Sequence, residues 1–442
     1  MKNHSLSSVA RNLLLLSALF LLLSGCECAD CAQNTLMPTP QEINFSYEGG
    51  DKTIWIPTTC CWQAVSYPDW VTVTPTKGCG PISVHITAEE NDTFFSRNDE
   101  VIIKTDGCGT VVIPVNQKTE LIVYVAGYEA NAAGKAVTTL WKNGSKTTLS
   151  GGITGAEARS IYVTPDGTEY VAGIEYNTMG YPVATLWKDG NKSALSDARY
   201  SEAWSVCASS DGTAYVAGFE EYSSFTAVAL LWGEGSRKAL ADGAKTTYAF
   251  SIYITSDGID YVAGYEASSV GRTVAILWKN GTPIALPDGG HSSEAYSVHV
   301  APDGTEYVAG SEFNSAGYTV ALLWRNGNKI ALSDGTTSAQ AWYVYATSDG
   351  IAYVAGTERV SGKQIAILWK DGTKIALTDG TKDAYAHSVY VAPDGTEYVV
   401  GWESNAAGIP VATLWKNRMP IALSDGTYEA MAWSVFVKKE AV

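Results

Sequence analysis

The chain has 442 residues, of which 46% are hydrophobic and 11% aromatic, and its formal net charge is −16. A chain of this length and apolar content can form two domains, each with a buried core. The negative charge repels phosphate backbones and anionic headgroups, so we expect no binding to nucleic acid.

Residues 1–26 have the features of an export signal. Lys2 and Arg11 precede an apolar run, Leu13 to Leu23, that is too short to span a membrane, and Cys26 follows it. The ending Leu-Ser-Gly-Cys resembles the lipobox of bacterial lipoproteins. The resemblance implies cleavage before Cys26 and lipidation of Cys26, with palmitate among the acyl groups. It also implies an outer-membrane location on the cell surface or the periplasmic face. A plain secretory signal is the alternative, and in both cases we expect no membrane span.

Residues 27–40 are predicted to be a tether, because they contain few apolar residues and end in Pro38 and Pro40. Cys28 and Cys31 lie in this tether. Two thiols without further ligands nearby do not make a zinc site, so we expect no bound metal there and no cofactor.

Residues 41–118 are predicted to form a small immunoglobulin-like β-sandwich of about seven strands. Apolar and polar residues alternate, for example at Ile82, Val84 and Ile86, and Gly, Pro and Asn-Asp pairs separate the runs. Several positions resemble the BACON domain (Bacteroidetes-associated, often N-terminal, proposed to bind carbohydrate): Gly49-Gly50, Trp62, Asp69 to Pro75, Lys77-Gly78, Asn91, Arg97 and Val115 to Gln117. The resemblance implies either a spacer or a glycan-binding module. We expect Trp62 and Trp70 to lie in the core.

Four cysteines of this segment are candidates for disulfide bonds, since clustered thiols in an exported chain are usually paired. They are Cys60, Cys61, Cys79 and Cys108, and the sequence leaves three connectivities open. Adjacent residues of a strand point to opposite faces, so at most one of Cys60 and Cys61 should cross-link inward.

From about residue 121 to 437, one motif of roughly 46 residues occurs seven times. The first part of the motif, Tyr-Val-Ala-Gly-x-Glu, begins at Tyr124, Tyr170, Tyr215, Tyr261, Tyr307, Tyr353 and Tyr398. A tryptophan closes Leu-Trp at Trp141, Trp187, Trp232, Trp278, Trp324, Trp369 and Trp415. Each copy contains four short strand patterns and no helical period. Residues 119–442 are therefore predicted to be a seven-bladed β-propeller of four-stranded antiparallel blades, with the Leu-Trp tryptophans in its core.

The repeat begins in the middle of a blade. We therefore expect the strand around Val435 to pair with the strand around Tyr124 and close the ring. The motif also resembles a widespread extracellular propeller-type repeat, which implies fold and an exported setting but no activity.

The connections are predicted to differ between the two rims of the disc. Asp-Gly and Asn-Gly pairs make tight turns on one rim. Two longer connections per blade, one of six to eight residues, should both lie on the opposite rim, called the long-loop rim below, where function is expected.

A glutamate closes Tyr-Val-Ala-Gly-x-Glu in every copy, at Glu129, Glu175, Glu220, Glu266, Glu312, Glu358 and Glu403. A position filled identically in every blade favours a structural role, such as accepting backbone N–H groups. Binding of a cation or ligand is the alternative.

The candidate ligand-binding residues vary between copies. They follow an alanine near the long-loop rim and are Arg159, Trp204, Phe250, Tyr296, Trp342, His387 and Trp433. Planar groups at one rim favour binding of a sugar or peptide, whereas a hydrophobic layer between blades is the alternative. Their cross-strand partners should include Phe219, Tyr265 and Trp402, with a register that is uncertain by one residue.

The sequence contains no Ser-His-Asp order, metal-ligand cluster or phosphate-binding loop. We expect a monomeric, membrane-anchored lipoprotein without catalytic residues that binds carbohydrate or protein through the long-loop rim. The alternatives are a polysaccharide hydrolase or lyase with its active site on that rim, and a pure scaffold.

Overall fold

In the computed structural model, every regular element of the described chain is a β-strand. The structure describes residues 37–91, 96–106, 109–119, 121–209, 211–223, 226–233, 235–268 and 271–439. The predicted signal, Cys26, most of the tether and Cys108 lie outside these residues. Within the described chain, no helix of membrane-spanning length and apolarity occurs. Two compact units meet at a boundary between residues 120 and 121.

The first unit is a β-sandwich, as predicted, with eight strands rather than about seven. They are β1 (Ile43–Phe45), β2 (Gly50–Ile56), β3 (Cys61–Ser66), β4 (Val71–Thr74), β5 (Lys77–Cys79), β6 (Ile82–Ala88), β7 (Arg97–Thr105) and β8 (Gly109–Gln117). One sheet has the order β1-β8-β7-β3-β5 and the other β2-β6-β4. Alternation places Val84 and Ile86 in the core with Trp62, whereas Trp70 is partly buried against it. The Arg97 guanidinium lies 4.7 Å from the Trp70 ring.

One disulfide bond joins Cys61 to Cys79, which face each other across β3 and β5. Cys61 is partly exposed and Cys79 is exposed, whereas Cys60 is buried. The cross-link therefore uses the cysteine of the adjacent pair that points away from the core.

The second unit is a seven-bladed propeller, as predicted, and its strands are named A to D in the order of hydrogen bonding within each blade. Blade 1 combines β36 (Ala430–Lys439), β9 (Leu121–Ala130), β10 (Ala136–Lys142) and β11 (Ser145–Thr148). Blade 2 contains β12 (Ala156–Val163), β13 (Glu169–Tyr176), β14 (Pro182–Lys188) and β15 (Asn191–Ala194), and blade 3 contains β16 (Tyr200–Ala208), β17 (Ala214–Ser223), β18 (Thr226–Gly233) and β19 (Ser236–Ala239). Blade 4 contains β20 (Thr247–Ile254), β21 (Asp260–Ala267), β22 (Thr273–Lys279) and β23 (Thr282–Ala285), and blade 5 contains β24 (Ser293–Val300), β25 (Glu306–Phe313), β26 (Thr319–Arg325) and β27 (Asn328–Ala331). Blade 6 contains β28 (Ala339–Ala346), β29 (Ala352–Val360), β30 (Lys363–Lys370) and β31 (Thr373–Ala376), and blade 7 contains β32 (Ala384–Val391), β33 (Glu397–Ser404), β34 (Pro410–Lys416) and β35 (Met419–Ala422).

Strand A is the innermost strand of each blade. Each A strand contacts the A strands of both neighbouring blades, so the seven form a closed ring around a central channel. The short D strands are almost entirely exposed and lie outermost. Val435 on β36 pairs with Val125 on β9, which confirms the predicted closure between the two ends of the repeat region.

Two repeated side chains hold the blades together. The Leu-Trp tryptophans are at most 3% exposed, which confirms that they are core. A serine on strand A accepts a hydrogen bond from the backbone N–H of the next A strand, for example Val206 N–H to Ser160 Oγ at 3.1 Å. The same bond joins six neighbouring pairs of A strands, with Ser160, Ser205, Ser251, Ser297, Ser388 and Ser434 as acceptors. At the remaining junction Tyr343 stands in place of serine.

The connections alternate between rims as predicted, but their lengths differ from the prediction. The C–D turns have two residues with positive φ, as at Asn143 (46°) and Gly144 (74°). The A–B and most B–C connections have five residues each, such as 164–168 and 131–135, and the D–A loops have seven, as at 149–155, except for the five residues of 195–199. The B–C connection is short because the Asn131 carboxamide oxygen accepts the N–H groups of Ala133 and Lys135 and closes a compact turn.

A β-bulge interrupts every A strand at the same place. In blade 6, Ala341 pairs with Gly356 and Tyr343 with Ala355, so Trp342 is the extra residue. The glycine of Tyr-Val-Ala-Gly makes this geometry possible, because a Cβ on Gly356 would lie 2.0 Å from the backbone oxygen of Gln340. The equivalent distance is between 1.8 and 2.1 Å in all seven blades.

Replacing Gly356 by alanine should therefore destabilise the propeller. The added methyl group would also lie 2.7 Å from the Trp369 ring, so the blade must shift at a cost of about 1–3 kcal/mol. Thermal unfolding measures the loss, and Gly151→Ala is the control because no atom lies within 4 Å of its Cβ position. Equal melting temperatures for the two variants would contradict this account of the bulge.

Candidate binding site

The seven variable residues predicted from the sequence are the seven bulge residues of the A strands. They are Arg159, Trp204, Phe250, Tyr296, Trp342, His387 and Trp433. A bulge residue has no cross-strand partner, so its side chain leaves the regular alternation and enters the central channel. His387 is buried, and the other six are partly exposed. We call these seven residues the bulge ring.

Neighbouring members of the bulge ring contact each other around the channel. The Arg159 guanidinium lies 3.8 Å from the Trp204 ring, and Trp204 meets Phe250 edge to face at 5.2 Å. The ring centroids of Tyr296 and Trp342 lie 4.8 Å apart. Those of His387 and Trp433 lie 4.1 Å apart and are stacked. These contacts all join neighbouring blades, so the bulge ring both lines the channel and packs one blade against the next.

A second ring lies two residues earlier on each A strand, closer to the long-loop rim. It consists of Glu157, Glu202, Tyr248, Glu294, Gln340, Tyr385 and Met431. These residues, rather than the bulge residues, face the B-strand positions that the sequence suggested as partners: Glu202 pairs with Phe219, Tyr248 with Tyr265, and Tyr385 with Trp402. The expected and observed partners differ by two residues: the bulge inside the strand accounts for one, and the register set at the Asp-Gly turn accounts for the other. The bulge ring, this second ring and their B-strand partners form what we call the channel mouth.

One side of the channel mouth is acidic and surrounds Arg159. The Arg159 guanidinium donates to Glu202 at 2.6 Å and lies 3.7 Å from Glu157. Tyr200 donates its hydroxyl to the other Glu202 oxygen at 2.6 Å. Burial, opposed by Arg159, raises the pKa of the Glu157 carboxyl. Glu157 is therefore the carboxylate of this group whose charge is least compensated.

Tyrosines hold two further carboxylates of the mouth in place. Tyr128 donates its hydroxyl to Glu429 at 2.5 Å, and Tyr296 donates to Glu294 at 2.7 Å. The side formed by blade 7 is different, because Tyr385 stacks on Trp402 at 4.8 Å without a carboxylate between them. The mouth thus combines hydrogen-bond acceptors on one side with flat apolar faces on the other.

Further side chains of the A strands face the channel below the bulge ring. A third ring consists of Tyr162, Cys207, Tyr253, His299, Tyr345, Tyr390 and Phe436, and the centroids of its neighbouring rings lie 4.7–6.0 Å apart. Burial raises the pKa of the Cys207 thiol to about 11 and that of Tyr343 to about 12.

Five of the seven repeated glutamates form ion pairs with strand D of their own blade, and Glu266 pairs with Lys245 of the preceding D–A loop. Glu129 binds Lys146 at 3.0 Å, and Glu312 binds Lys329 at 2.8 Å, in each case across the blade to strand D. Glu312 additionally accepts the Gly289 N–H at 2.9 Å. A structural role was predicted for this position, but its main partner is a cation on the outer strand rather than backbone N–H.

Sequence reasoning missed the second ring, although its signal was present. Its members vary between copies in the same way as the bulge residues, two positions earlier, and three of the seven are glutamates. In a regular strand, residues two positions apart point to the same face. The second-ring residue could therefore have been predicted together with the bulge residue, but only the bulge residue was.

Comparison with known proteins identifies part of the first unit. Residues 62–118 match the family model described as "BACON: Putative binding domain, N-terminal", which confirms the resemblance over that range. The chain matches no curated protein.

Several solved structures are similar to the chain. A Bacteroides ovatus GH5 xyloglucanase in complex with a XXXG heptasaccharide is 29% identical over 18% of this chain and 17% of its own, with a TM-score of 0.18. A Mycobacterium tuberculosis puromycin-hydrolyzing peptidase is 10% identical over 69% and 53%, with a TM-score of 0.45. An auxiliary nutrient binding protein from Bacteroides ovatus is 10% identical over 84% and 96%, with a TM-score of 0.35. The chain spans less than two thirds of the first two proteins, and at these TM-scores none of the three identifies a ligand or an activity.

The buried histidine of the third ring should make stability depend on pH. Burial lowers the pKa of His299 to about 4 from an ordinary value of 6.5. Between these values the unfolded chain binds the proton and the folded chain does not, so stability is full above pH 6.5 and falls as the pH decreases toward 4. In His299→Tyr, which introduces the residue of four other blades, this contribution, on the order of 2 kcal/mol, should be absent.

Melting temperatures at pH 7, 5.5 and 4.5 measure the effect. The wild type should lose more stability than His299→Tyr as the pH decreases, whereas the exposed-residue variant His291→Asn should follow the wild type. Parallel curves for all three proteins would contradict the assignment.

Proposed function

We propose that this protein is a non-catalytic carbohydrate-binding lipoprotein whose propeller takes its ligand at the channel mouth on the long-loop rim. The observation that supports this most strongly is the bulge ring, which presents six blade-specific aromatic or imidazole rings and one arginine to a single channel. Side chains that only hold blades together recur, as the Leu-Trp tryptophans do. The side chains of the channel mouth differ from blade to blade.

The chemistry of the mouth suits a sugar. Aromatic faces such as those of Trp402 and Tyr385 can stack on the C–H faces of a pyranose ring. The carboxylates of Glu157 and Glu294 can accept hydrogen bonds from sugar hydroxyls, and charged acceptors make the stronger bonds.

Export and anchoring complete the proposal. Acylation at Cys26 would hold the mature protein at the outer membrane, and the BACON-like sandwich would act as a spacer between anchor and propeller. The match of residues 62–118 to a binding-domain family supports an exported binding protein.

One observation favours a glycoside hydrolase instead. Two carboxylates in different environments, Glu157 with a raised pKa and Glu202 paired with a cation, could serve as acid and base. However, Arg159 contacts both of them and occupies the space between them. A scissile bond would have to displace that guanidinium, so we favour binding without catalysis.

Affinity gels containing xyloglucan, xylan, galactomannan, laminarin or amylopectin test the proposal. At least one polysaccharide should retard the wild-type protein, and Trp204→Ala and Trp342→Ala should each weaken that binding about tenfold, or about 1.4 kcal/mol. The loss follows from removal of an aromatic face in the channel. Release of reducing ends is measured in parallel, and we expect none.

The matched control is Trp55→Ala, which removes a tryptophan that is 45% exposed on the sandwich. It should bind as the wild type does. Wild-type affinity in folded variants of both channel tryptophans, or loss of binding in Trp55→Ala alone, would place the ligand elsewhere. Release of reducing ends that Glu157→Gln abolishes would establish the hydrolase.

A further inference from the structure

A cleft lies beside the channel mouth on the long-loop rim. It has a volume of about 790 Å³ and lies between the D–A loop that leaves blade 2 and the edge of blade 3. Its wall includes Arg199 from that loop, and Glu221, Tyr222 and Arg237 from blade 3.

The cleft occurs where the chain departs from its own repeat. The loop from Leu195 to Arg199 has five residues, whereas the other D–A loops, such as 149–155, have seven. Tyr222 stands where blades 1, 2, 5 and 7 carry an asparagine. In blade 1 that asparagine, Asn131, also donates to the carbonyl of Gly152 at 2.9 Å and so ties the B–C loop to the D–A loop. A tyrosine cannot make this tie, which in blade 3 would join the loop 240–246 and not the loop that lines the cleft.

Tyr222 is turned outward by a bulge of its own. In the pairing of β17 with β18, Glu221 pairs with Ala227 and Ser223 with Thr226, so Tyr222 is the extra residue. Among the B–C pairings of the described residues, only this one contains a bulge. The side chain of Tyr222 is 57% exposed, while its hydroxyl donates to Glu220 at 2.8 Å. This hydrogen bond fixes the ring as an exposed platform.

Polar groups with restricted geometry surround the platform. Glu220 is only 4% exposed and receives hydrogen bonds from Arg237 and from Ser196 Oγ, the latter at 2.7 Å. The Arg237 guanidinium lies 5.5 Å from the Tyr222 ring. Arg199 lies 4.4 Å from the Tyr181 ring and donates to its hydroxyl. An aromatic platform edged by held guanidinium and carboxylate groups suits a ring with many hydroxyls.

A chain of neighbouring residues connects the wall of the cleft to the channel mouth. Glu221 pairs with Tyr200, whose hydroxyl binds Glu202 in the second ring. Burial raises the pKa of Glu221, and the charge of Glu202 adds to the shift. From strand A with Tyr200 to strand D with Arg237 there are three strand spacings, about 14 Å, which exceeds the width of a single sugar ring.

We infer that the cleft is an extension of the sugar-binding site, in which Tyr222 is the platform for a second or third sugar residue of a chain whose end lies in the channel mouth. The inference rests on the proposed function and makes it more specific. The ligand is an oligosaccharide that runs outward over blade 3, and affinity therefore increases with chain length.

Titration calorimetry with linear oligosaccharides tests the inference. The probes are the cello-, xylo-, manno- and malto-oligosaccharides of two to six residues. For the wild type, affinity in the series that binds should increase at least tenfold from the disaccharide to the tetrasaccharide. Tyr222→Ala and Tyr222→Asn, the latter being the residue of four other blades, should bind the disaccharide as the wild type does and lose that increase.

The control is Tyr318→Ala, which removes a 43% exposed tyrosine from the same rim in blade 5 and should keep the full length dependence. Channel variants test the proposed function separately, since Trp342→Ala should weaken binding of every chain length. Binding that needs Trp342 but does not increase with length, or increases equally in Tyr222→Ala, would overturn the cleft and leave the proposed function intact. Failure of all series to bind would overturn both.

Discussion

The contact between a glycine and the carbonyl of a bulged strand determines the interior of this propeller. In each blade the B strand approaches strand A so closely that only glycine fits, as at Gly356 against Gln340 O. The bulge that results turns one side chain into the channel. It also positions the following serine to accept the N–H of the next blade, as Ser160 does from Val206. One steric constraint therefore governs both the closure of the ring and the lining of the channel.

Constant and variable positions of the repeat have separate tasks. The recurring tryptophans, glycines and serines hold seven blades in one geometry, and five of the seven recurring glutamates form ion pairs with strand D. The variable positions face the channel, where they contact one another without entering the core of a blade. Differences between blades can therefore accumulate there without loss of the fold, as in the change from Glu202 to Tyr248 to Gln340 around the second ring. In blade 3 a structural position on the rim has itself become variable, because Tyr222 replaces an asparagine that elsewhere holds two loops together.

The sequence predicted the parts of the structure that depend on local chemistry. The seven-fold period, the Asn-Gly turns at Asn143 and similar positions, and the pairing of Val435 with the first strand all follow from residue pattern. The bulge does not, because it arises from contact between two strands, and it shifts every later residue of strand A by one position. Tyr265 faces Tyr248 and not Phe250, a difference of two residues, of which the bulge accounts for one and the register at the Asp-Gly turn for the other. The length of the B–C loop was overestimated for a related reason, since the carboxamide of Asn131 closes the turn within five residues. The ion pair of Glu129 joins residues 17 positions apart, a separation that turn signals do not reveal.

A crystal structure of the protein with a bound oligosaccharide tests the central claim most directly. The tetrasaccharide that binds most tightly would be soaked into crystals, and its position would be read from the electron density. The account predicts a sugar ring in the channel mouth, in van der Waals contact with side chains of the bulge ring or the second ring. Density for the sugar on the opposite rim or on the sandwich, with an empty channel mouth, would contradict it.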